Sequence, residues 1–419
     1  MVGGPEVAPR SQWSRRALLR TGLAAVGVLA VGGAGRTLYA GPASPWNPSE
    51  LRRPVFGMLQ AKPATYGELR EAGVDAVTLS LVWSSAEPDG PGLHEPYLQE
   101  IKDRHRAARD AGLEVALSAG LQYPPSWVTD LPGARFVDQN GRLSRGGPGE
   151  DAADAVFNAE VRAAQDAYLE RLGKQLEDVA PAGIRVGGLT RGELHYPPGG
   201  RDEPRNTFWA FGPAALAASP VPTFRPGEGS PDEARIFLDW YLDSLAEYGR
   251  WQLDAYRRHF GPNPRLLVLL PSWGIRPGEI DTAVAGRLSG DTRGERRDTL
   301  TQGLDWERQL PRYAEVEGVA VCTTWLDPPD QGADDGFSSP GVYLASLARR
   351  NGLGMWGENT GDNDADEMRR CMERVRELGL EGLFWMGGND LGKQGNASLD
   401  DYARLITAGD WRPPPRTPY

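Results

Sequence analysis

The stretch at residues 184–198, IRVGGLTRGELHYPP, decides how we interpret the chain. Its apolar residues Ile184, Val186 and Leu189 are typical of a buried strand, and the prolines that follow end regular strand pairing. Glu193 therefore stands just beyond a strand end. In a parallel α/β barrel, catalytic groups are carried at the C-terminal ends of the strands. The sequence thus offers Glu193 as a candidate catalytic carboxylate, and a solvated loop glutamate is the alternative.

Short apolar runs alternate with longer stretches of helical period from residue 55 onward, which indicates βα units and a parallel sheet. The predicted strands are VFGML from Val55, DAVTLSLVW from Asp75, EVALSAGL from Glu114, IRV from Ile184, RLLVLLPSW from Arg265, GVAVCTTW from Gly318, LGMWGEN from Leu353 and EGLFWMGGND from Glu381. Eight strands, each followed by a helix, predict an α/β fold, a single-domain (β/α)8 TIM barrel over residues 41–419. The charged segment 274–315 is the least interpretable part of the chain.

The N-terminal segment has the layout of an export signal. Residues 14–35 read SRRALLRTGLAAVGVLAVGGAG, in which Arg15 and Arg16 precede an apolar run. An arginine pair before such a run is typical of a twin-arginine signal. The run is short and broken by glycines, which argues against the alternative, a membrane anchor. We predict a twin-arginine export signal over residues 1–40, cleaved after residues 38–40, and an extracellular or cell-envelope location.

The net charge excludes two classes of partner. The formal charge of −11 becomes −15 when residues 1–40, with five arginines and one glutamate, are removed. Nucleic acids and anionic membranes repel a surface of this charge. We therefore expect no nucleic-acid partner, and no membrane contact beyond the export signal.

The cysteines and histidines give no indication of a cofactor. Cys322 and Cys371 are too few for a disulfide framework, and each lies in an apolar pattern typical of a buried free thiol. The four histidines lack the spacing of metal ligands: His94, His105, His195 and His259. The sequence has no Gly-x-Ser-x-Gly motif and no glycine loop of the kind that binds phosphate. We predict no cofactor and no metal.

Aromatic residues gather at the predicted strand ends. Aromatic rings stack on the apolar faces of sugar rings, and carboxylates bind sugar hydroxyls, so this combination predicts a saccharide cleft. The candidate substrate-binding residues are Trp83, Tyr123, Trp127, His195, Tyr196, Trp273, Trp325, Asn359 and Trp385. The alternative for each tryptophan, Trp356 included, is that it packs helices against strands.

Two glutamates are placed to act together. Glycoside hydrolysis needs one carboxyl group as a general acid and another as a base or nucleophile, on opposite sides of the scissile bond. Glu193 after the fourth strand and Glu358 at the seventh would face each other across the barrel mouth. We predict this catalytic pair, with Glu193 kept protonated by burial among Tyr196 and other aromatics, and Glu358 ionised. The alternative for Glu358 is that it anchors loops or binds a sugar hydroxyl.

The GELHYP stretch at residues 192–197 resembles the segment of β-amylases, glycoside hydrolase family 14, that carries the general acid. Further similar segments, spread over residues 54–390, are VDAVTLSLVW, FVDQNG, FWAFG, FLDWYLDSL and GENTG. The resemblance implies the acid role for Glu193 and the inverting release of maltose from the ends of α-1,4-glucans.

The chain departs from family 14 at several positions. Ser80 stands where the family has a substrate-binding aspartate, and Gly120 or a neighbour stands where it has a histidine. Thr324, in CTTWLD, stands near the position of the family's glutamate base, with Asp327 close behind. The second carboxylate is then Glu358, Asp327 or absent.

The segments VWSSAEP and YPPSW also resemble retaining β-galactosidases of family 42, whose carboxylates come from strands four and seven. That pattern suits Glu193 and Glu358. The sequence therefore predicts an exported glycoside hydrolase acting on a carbohydrate, most like family 14. Two alternatives stay open. One is a retaining β-glycosidase with Glu358 as nucleophile. The other is a carbohydrate-binding barrel that has lost catalysis, which is suggested by Thr324 near the position of the family's glutamate base.

Overall fold

The computed structural model describes residues 44–144, 152–198, 206–292, 296–330, 338–361, 363–388, 393 and 395–412. The predicted export signal over residues 1–40 lies outside this part of the chain. Among the described residues, no helix has both the length and the apolar composition needed to cross a lipid bilayer.

Eight parallel strands form a closed barrel in sequence order. They are β1 (Val55–Leu59), β2 (Ala76–Ser80), β3 (Glu114–Ser118), β4 (Gly183–Val186), β5 (Arg265–Leu270), β6 (Val319–Thr323), β7 (Gly354–Glu358) and β8 (Gly382–Met386). β8 pairs with β1, with Gly382 opposite Val55 and Met386 opposite Leu59, which closes the barrel. Apolar residues dominate these strands because both faces of a parallel sheet are covered. The predicted TIM barrel is confirmed.

Helices pack around the strands. The α-helices are α1 (Tyr66–Glu71), α2 (Trp83–Ala86), α3 (Glu95–Asp110), α4 (Ser126–Thr129), α5 (Ala159–Gln175), α6 (Pro213–Ala218), α7 (Pro231–Phe260), α8 (Glu279–Ala285), α9 (Trp306–Ala314), α10 (Pro340–Arg350), α11 (Ala365–Leu378) and α12 (Leu399–Ala408). Single 3-10 turns lie at Pro63–Thr65 and Thr190–Gly192. The longest helix, α7, begins with a capping box in which Ser230 and Glu233 exchange side-chain and main-chain hydrogen bonds.

The segment 274–315, which the sequence pattern left uninterpreted, contains α8 and α9. α8 is only seven residues long, and α9 contains Pro311. A short apolar face and an internal proline both weaken the pattern by which a helix is predicted. Asp305 starts α9 by accepting a hydrogen bond from the Arg308 N–H.

The barrel wall separates two hydrophobic cores. The larger core lies between the strands and the helices, and the smaller one fills the barrel interior around Trp46, Trp356 and Phe384. The Trp46 ring lies 4.9 Å from Trp356 and 6.0 Å from Phe384. A Cβ on Gly183, the first residue of β4, would overlap the Trp46 ring, so the indole needs glycine at that position. Trp46 thus fills the N-terminal end of the barrel, against the start of β4.

Candidate active site

A cavity of about 1110 Å³ opens at the C-terminal ends of the strands. This is the end at which TIM barrels carry their catalytic residues. Its lining is strongly polar: hydroxyls come from Thr78, Ser80 and Ser118, and charged side chains include Lys62, Glu100, Arg104, Arg191 and Glu367. A polar cavity of this volume suits a ligand rich in hydroxyl groups.

Glu193 lies on the cavity wall after a tight turn. Arg191 (φ 58°) and Gly192 (φ 84°) both adopt left-handed backbone, which reverses the chain at the end of β4. The Glu193 backbone is extended, with φ −98° and ψ 166°. Leu194 then points into the core, and its N–H donates to the Leu269 carbonyl of β5. The turn is therefore held against β5, and the Glu193 side chain faces the cavity with 16% exposure.

His195 contacts Glu193 rather than the cavity. Its Nε2 lies 3.4 Å from Oε2 of Glu193, and its Nδ1 lies 2.7 Å from the main-chain oxygen of Tyr196. The residue is buried and is not part of the cavity lining. The structure therefore places His195 against Glu193 and off the cavity wall, and a contact between His195 and substrate stays a prediction.

Glu358, the last residue of β7, lies on the same cavity. Arg185 of β4 reaches across the barrel and contacts both its oxygens, with Nη1 at 2.9 Å from Oε1 and Nη2 at 3.1 Å from Oε2. The Cys322 thiol donates to Oε1 over 3.6 Å. Burial raises the pKa of the Glu358 carboxyl, Arg185 opposes this rise, and the negative charge of Glu193 adds to it. The predicted ionisation of Glu358 is thus opposed by burial and favoured by Arg185.

Glu193 and Glu358 thus share one cavity from opposite sides of the barrel. The charge of Glu193 acts on the titration of Glu358, so the two carboxyls are within electrostatic range. They differ in surroundings, because Glu358 is paired with a guanidinium whereas Glu193 faces an imidazole. Two carboxyl groups in contrasting environments are the arrangement that acid and base roles require.

Asp327, the other candidate for the second carboxylate, anchors a loop. Its two oxygens accept from the N–H of Thr360 at 2.6 Å and from its hydroxyl at 2.7 Å. Burial raises the pKa of Asp327, and the hydrogen bonds from Thr360 oppose that rise. Thr324 also lies on the cavity wall. Asp327 lines the same cavity as Glu193 and Glu358, and of the two candidates it is Glu358 whose pKa the charge of Glu193 raises.

Four of the predicted substrate-binding residues lie on the cavity wall: Tyr123, Trp273, Trp325 and Asn359. Tyr123 and Trp325 are half-buried and present ring surface there. Trp273 is covered on one side by the Arg296 guanidinium, 4.7 Å from the ring centre. Asn359 holds the strand ends together, because its Oδ1 accepts from the Met386 N–H.

The other predicted aromatics are not part of the cavity lining, so they are corrected as binding residues. Trp83 stacks on Tyr168 at 5.0 Å and donates its indole N–H to Glu87. Trp127 packs on Trp83 and donates to the Glu87 carbonyl. These residues join helices to the barrel wall, which was the alternative considered for each tryptophan.

Tyr196 and Trp385 also lie in the core. Tyr196 stacks on Tyr241 at 4.1 Å, and its hydroxyl donates to the Tyr241 carbonyl. Trp385 is fully buried and faces Tyr402 of α12. Trp356 lies inside the barrel, where its indole N–H donates to Glu381. Each of these rings is buried in a hydrophobic core and is absent from the cavity wall.

Arg185 is the functional residue that sequence reasoning missed. A charged residue in the middle of a buried strand needs a buried partner. Arg185 occupies such a position between Ile184 and Val186, and this signal was present in the sequence. Its partner Glu358 lies three strands away, so pairing could not be read from neighbouring segments.

Cys322 and Cys371 are both free and buried, as predicted. Across the described parts of the chain, no three His, Cys, Asp or Glu side chains converge as metal ligands would.

Three solved structures share this architecture. The catalytic domain of β-amylase from Paenibacillus polymyxa superposes with a TM-score of 0.68 at 16% identity, over 85% of this chain and 98% of that chain. A β-galactosidase from the psychrophilic Marinomonas ef1 gives 0.58 at 14% identity, over 84% of this chain and 58% of that chain. The β-galactosidase of Halorubrum lacusprofundi gives 0.51 at 15% identity, over 84% and 57%.

At these identities the likeness establishes the common TIM-barrel fold. No protein-family model matches the chain, and no curated protein matches it in sequence.

Proposed function

We propose that this protein is a glycoside hydrolase in which Glu193 donates the proton and Glu358 is the second carboxylate. The observation that carries the proposal is the placement of both carboxyls on one polar cavity, from β4 and β7, within electrostatic range of each other. Both resembled families cleave glycosidic bonds, and the structures similar in fold are those of a β-amylase and of β-galactosidases.

The geometry accounts for the division of roles. Glu193 would protonate the glycosidic oxygen as the bond to the anomeric carbon breaks, which makes the leaving sugar neutral. Arg185 favours the ionised form of Glu358 and holds it in place, and a negative charge there would face the positive charge that develops on the sugar ring. The hydroxyls of Ser80 and Ser118 and the rings of Tyr123 and Trp325 would hold the sugar in place.

An α-1,4-glucan is the first substrate we propose, because of the GELHYP resemblance and the β-amylase fold. A β-linked glycoside is the second. It is favoured by carboxylates that follow β4 and end β7, as in the family 42 pattern, and by Thr324 near the place where the resemblance to β-amylases expects a glutamate. A retaining mechanism places the two carboxyl groups about 5–5.5 Å apart, and an inverting one about 6.5–9.5 Å apart. We further propose that the twin-arginine segment exports the barrel, so that it meets its carbohydrate outside the cytoplasm.

A substrate panel tests the proposal. Starch, maltooligosaccharides and aryl α- and β-glycosides would be incubated with the purified protein, and the first product anomer followed by NMR. Glu193→Gln should abolish sugar release while oligosaccharide binding survives, and Glu358→Gln should do the same. Glu377→Gln, on the exposed face of α11, is the matched control and should act as wild type. Wild-type turnover in Glu193→Gln contradicts the acid assignment, whereas binding without turnover in the wild type favours a carbohydrate-binding barrel.

A further inference from the structure

His195 is a buried histidine whose two ring nitrogens face different partners. Nδ1 lies 2.7 Å from the carbonyl oxygen of Tyr196, and Nε2 lies 3.4 Å from Oε2 of Glu193. Nε2 makes no hydrogen bond of normal geometry to any described residue. The residue is 4% exposed, so the imidazole reaches the cavity only through Glu193.

The hydrogen-bond partners determine where the protons lie. A carbonyl oxygen only accepts, so Nδ1 carries a proton, and in the neutral imidazole Nε2 has a lone pair directed at Glu193. A lone pair and a carboxylate oxygen repel each other. The contact is favourable when one proton lies between them, and keeping that proton on Glu193 avoids placing two charges in a buried site.

We propose that His195 is the positioning residue of the general acid, and that its Nε2 accepts a hydrogen bond from the protonated Glu193 carboxyl between turnovers. This inference rests on the proposed function. With a sugar bound, the proton moves from Oε2 to the glycosidic oxygen, the bond from that oxygen to the anomeric carbon breaks, and its electron pair stays on the oxygen. The contact to Nε2 is long and poorly aligned, so the glycosidic oxygen competes successfully for the proton.

The charged groups around this pair come from three strands and the turn. The charge of Glu193 acts on Glu358 of β7, and Arg185 of β4 pairs with Glu358. Cys322 of β6 also contacts Glu358, and Arg191 lies on the cavity wall. Of the residues just named, only His195 presents to Glu193 a nitrogen that can accept a hydrogen bond.

Two variants with amide side chains test the two contacts of the imidazole separately: the one from Nδ1 to Tyr196 and the one from Nε2 to Glu193. His195→Asn places an amide nitrogen near the Nδ1 position, so the bond to Tyr196 is kept and the contact to Glu193 is lost. His195→Gln places an amide N–H near the Nε2 position, so a donor replaces the acceptor and stabilises the Glu193 carboxylate. A purely structural role of His195, anchored by the bond to Tyr196, would be kept in His195→Asn and lost in His195→Gln, and neither variant would change the leaving-group dependence or the pH profile of turnover.

Two aryl glycosides of the sugar that the wild type cleaves provide the assay. A 2,4-dinitrophenyl leaving group departs without a proton, whereas a phenyl leaving group needs one. His195→Asn should lower kcat on the phenyl glycoside about tenfold or more, and on the dinitrophenyl glycoside less than about threefold. His195→Gln should move the alkaline limb of kcat/KM for the phenyl glycoside to lower pH. A wild-type ratio of the two rates and an unchanged limb in both variants would overturn the proposal.

Nitrogen NMR of the unsubstituted protein gives a check that requires no variant to fold. With ¹⁵N-labelled histidine, His195 should show a protonated Nδ1 and an unprotonated Nε2, and the opposite tautomer contradicts the proposal. Different results would contradict the proposed function and the role of His195. An inactive wild type or an unaffected Glu193→Gln removes the proposed function, whereas selective loss in Glu193→Gln without effect in either His195 variant removes only the role of His195.

Discussion

Arg185→Met is the substitution whose consequences the structure defines most fully. It removes the guanidinium that contacts both oxygens of Glu358 and leaves a carboxyl with 5% side-chain exposure without its counter-ion. Methionine keeps an unbranched side chain of similar length, so the barrel interior stays filled. Breaking a buried ion pair by removing one partner costs about 3–5 kcal/mol.

The loss should depend on pH. The pKa of Glu358 is raised above its ordinary value of 4.5, and removing Arg185 takes away the cause that holds it down, so the pKa rises further. A carboxyl with a raised pKa in the folded protein destabilises the fold once it ionises. Its contribution to stability is therefore intact below pH 4.5 and is lost as pH rises through the folded value. The difference between wild type and Arg185→Met should be small at pH 4.5 and largest at pH 8.

Thermal unfolding measures this difference. With an unfolding entropy of about 2.1 cal/mol/K per residue over roughly 380 residues, a loss of about 3–5 kcal/mol lowers Tm by about 4–6 °C at pH 8. A double-mutant cycle with Glu358→Gln should give a coupling energy of about 2–3 kcal/mol at pH 8, and much less at pH 4.5. Turnover of Arg185→Met should fall by about 10²-fold, because Glu358 loses both its charge and its position. A variant as stable and active as wild type at pH 8 would refute the reasoning.

Three further predictions concern residues outside the proposed catalytic pair. Asp154 is buried, and burial raises its pKa to about 7. The contribution of this carboxyl to the free energy of unfolding should therefore fall by about 4 kcal/mol between pH 3.8 and pH 7. Asp154→Asn should flatten the pH dependence of stability measured by urea unfolding. Trp46→Ala should cost about 3–5 kcal/mol in urea unfolding with little change in KM, because this ring lies at the far end of the barrel. Asp327→Asn should cost about 1–2 kcal/mol by weakening the bonds to Thr360, and should slow sugar release far less than Glu358→Gln when both are assayed in parallel.

Local sequence pattern was sufficient to predict the barrel. Each strand is a short apolar run that ends at turn residues, and all eight were located to within a few residues. Both faces of a parallel sheet are buried, so every strand appears in the sequence as a short run of apolar residues. Trp46 was not predicted as part of the core because it precedes the first strand, and its ring packs against Gly183 of β4, which is distant in the sequence.

The position of a strand-end aromatic depends on details that sequence does not resolve. Side chains alternate between the two faces of a strand, so Met386 lines the cavity while its neighbour Trp385 faces the helices. Trp83 opens the short helix α2, which turns its ring into the core. If the position of a residue along its strand is predicted wrongly by one, a side chain that packs in the core is taken for one that faces the cavity.

The two glutamates could be proposed from the sequence because they lie at or just after strand ends. The residues that contact them could not, because those contacts form only in the folded barrel. Arg185 meets Glu358 across the interior. His195 meets Glu193 because the extended backbone at Glu193 brings the next-but-one side chain to the same side.

A crystal structure of Glu193→Gln with an intact oligosaccharide in the cavity tests the central claim most directly. The amide at position 193 should lie about 2.6–3.2 Å from a glycosidic oxygen. The Glu358 carboxylate, still paired with Arg185, should face the anomeric carbon of the same bond from the opposite side. A sugar bound with no glycosidic oxygen near position 193, or with Glu358 turned away from the ring, would contradict the account.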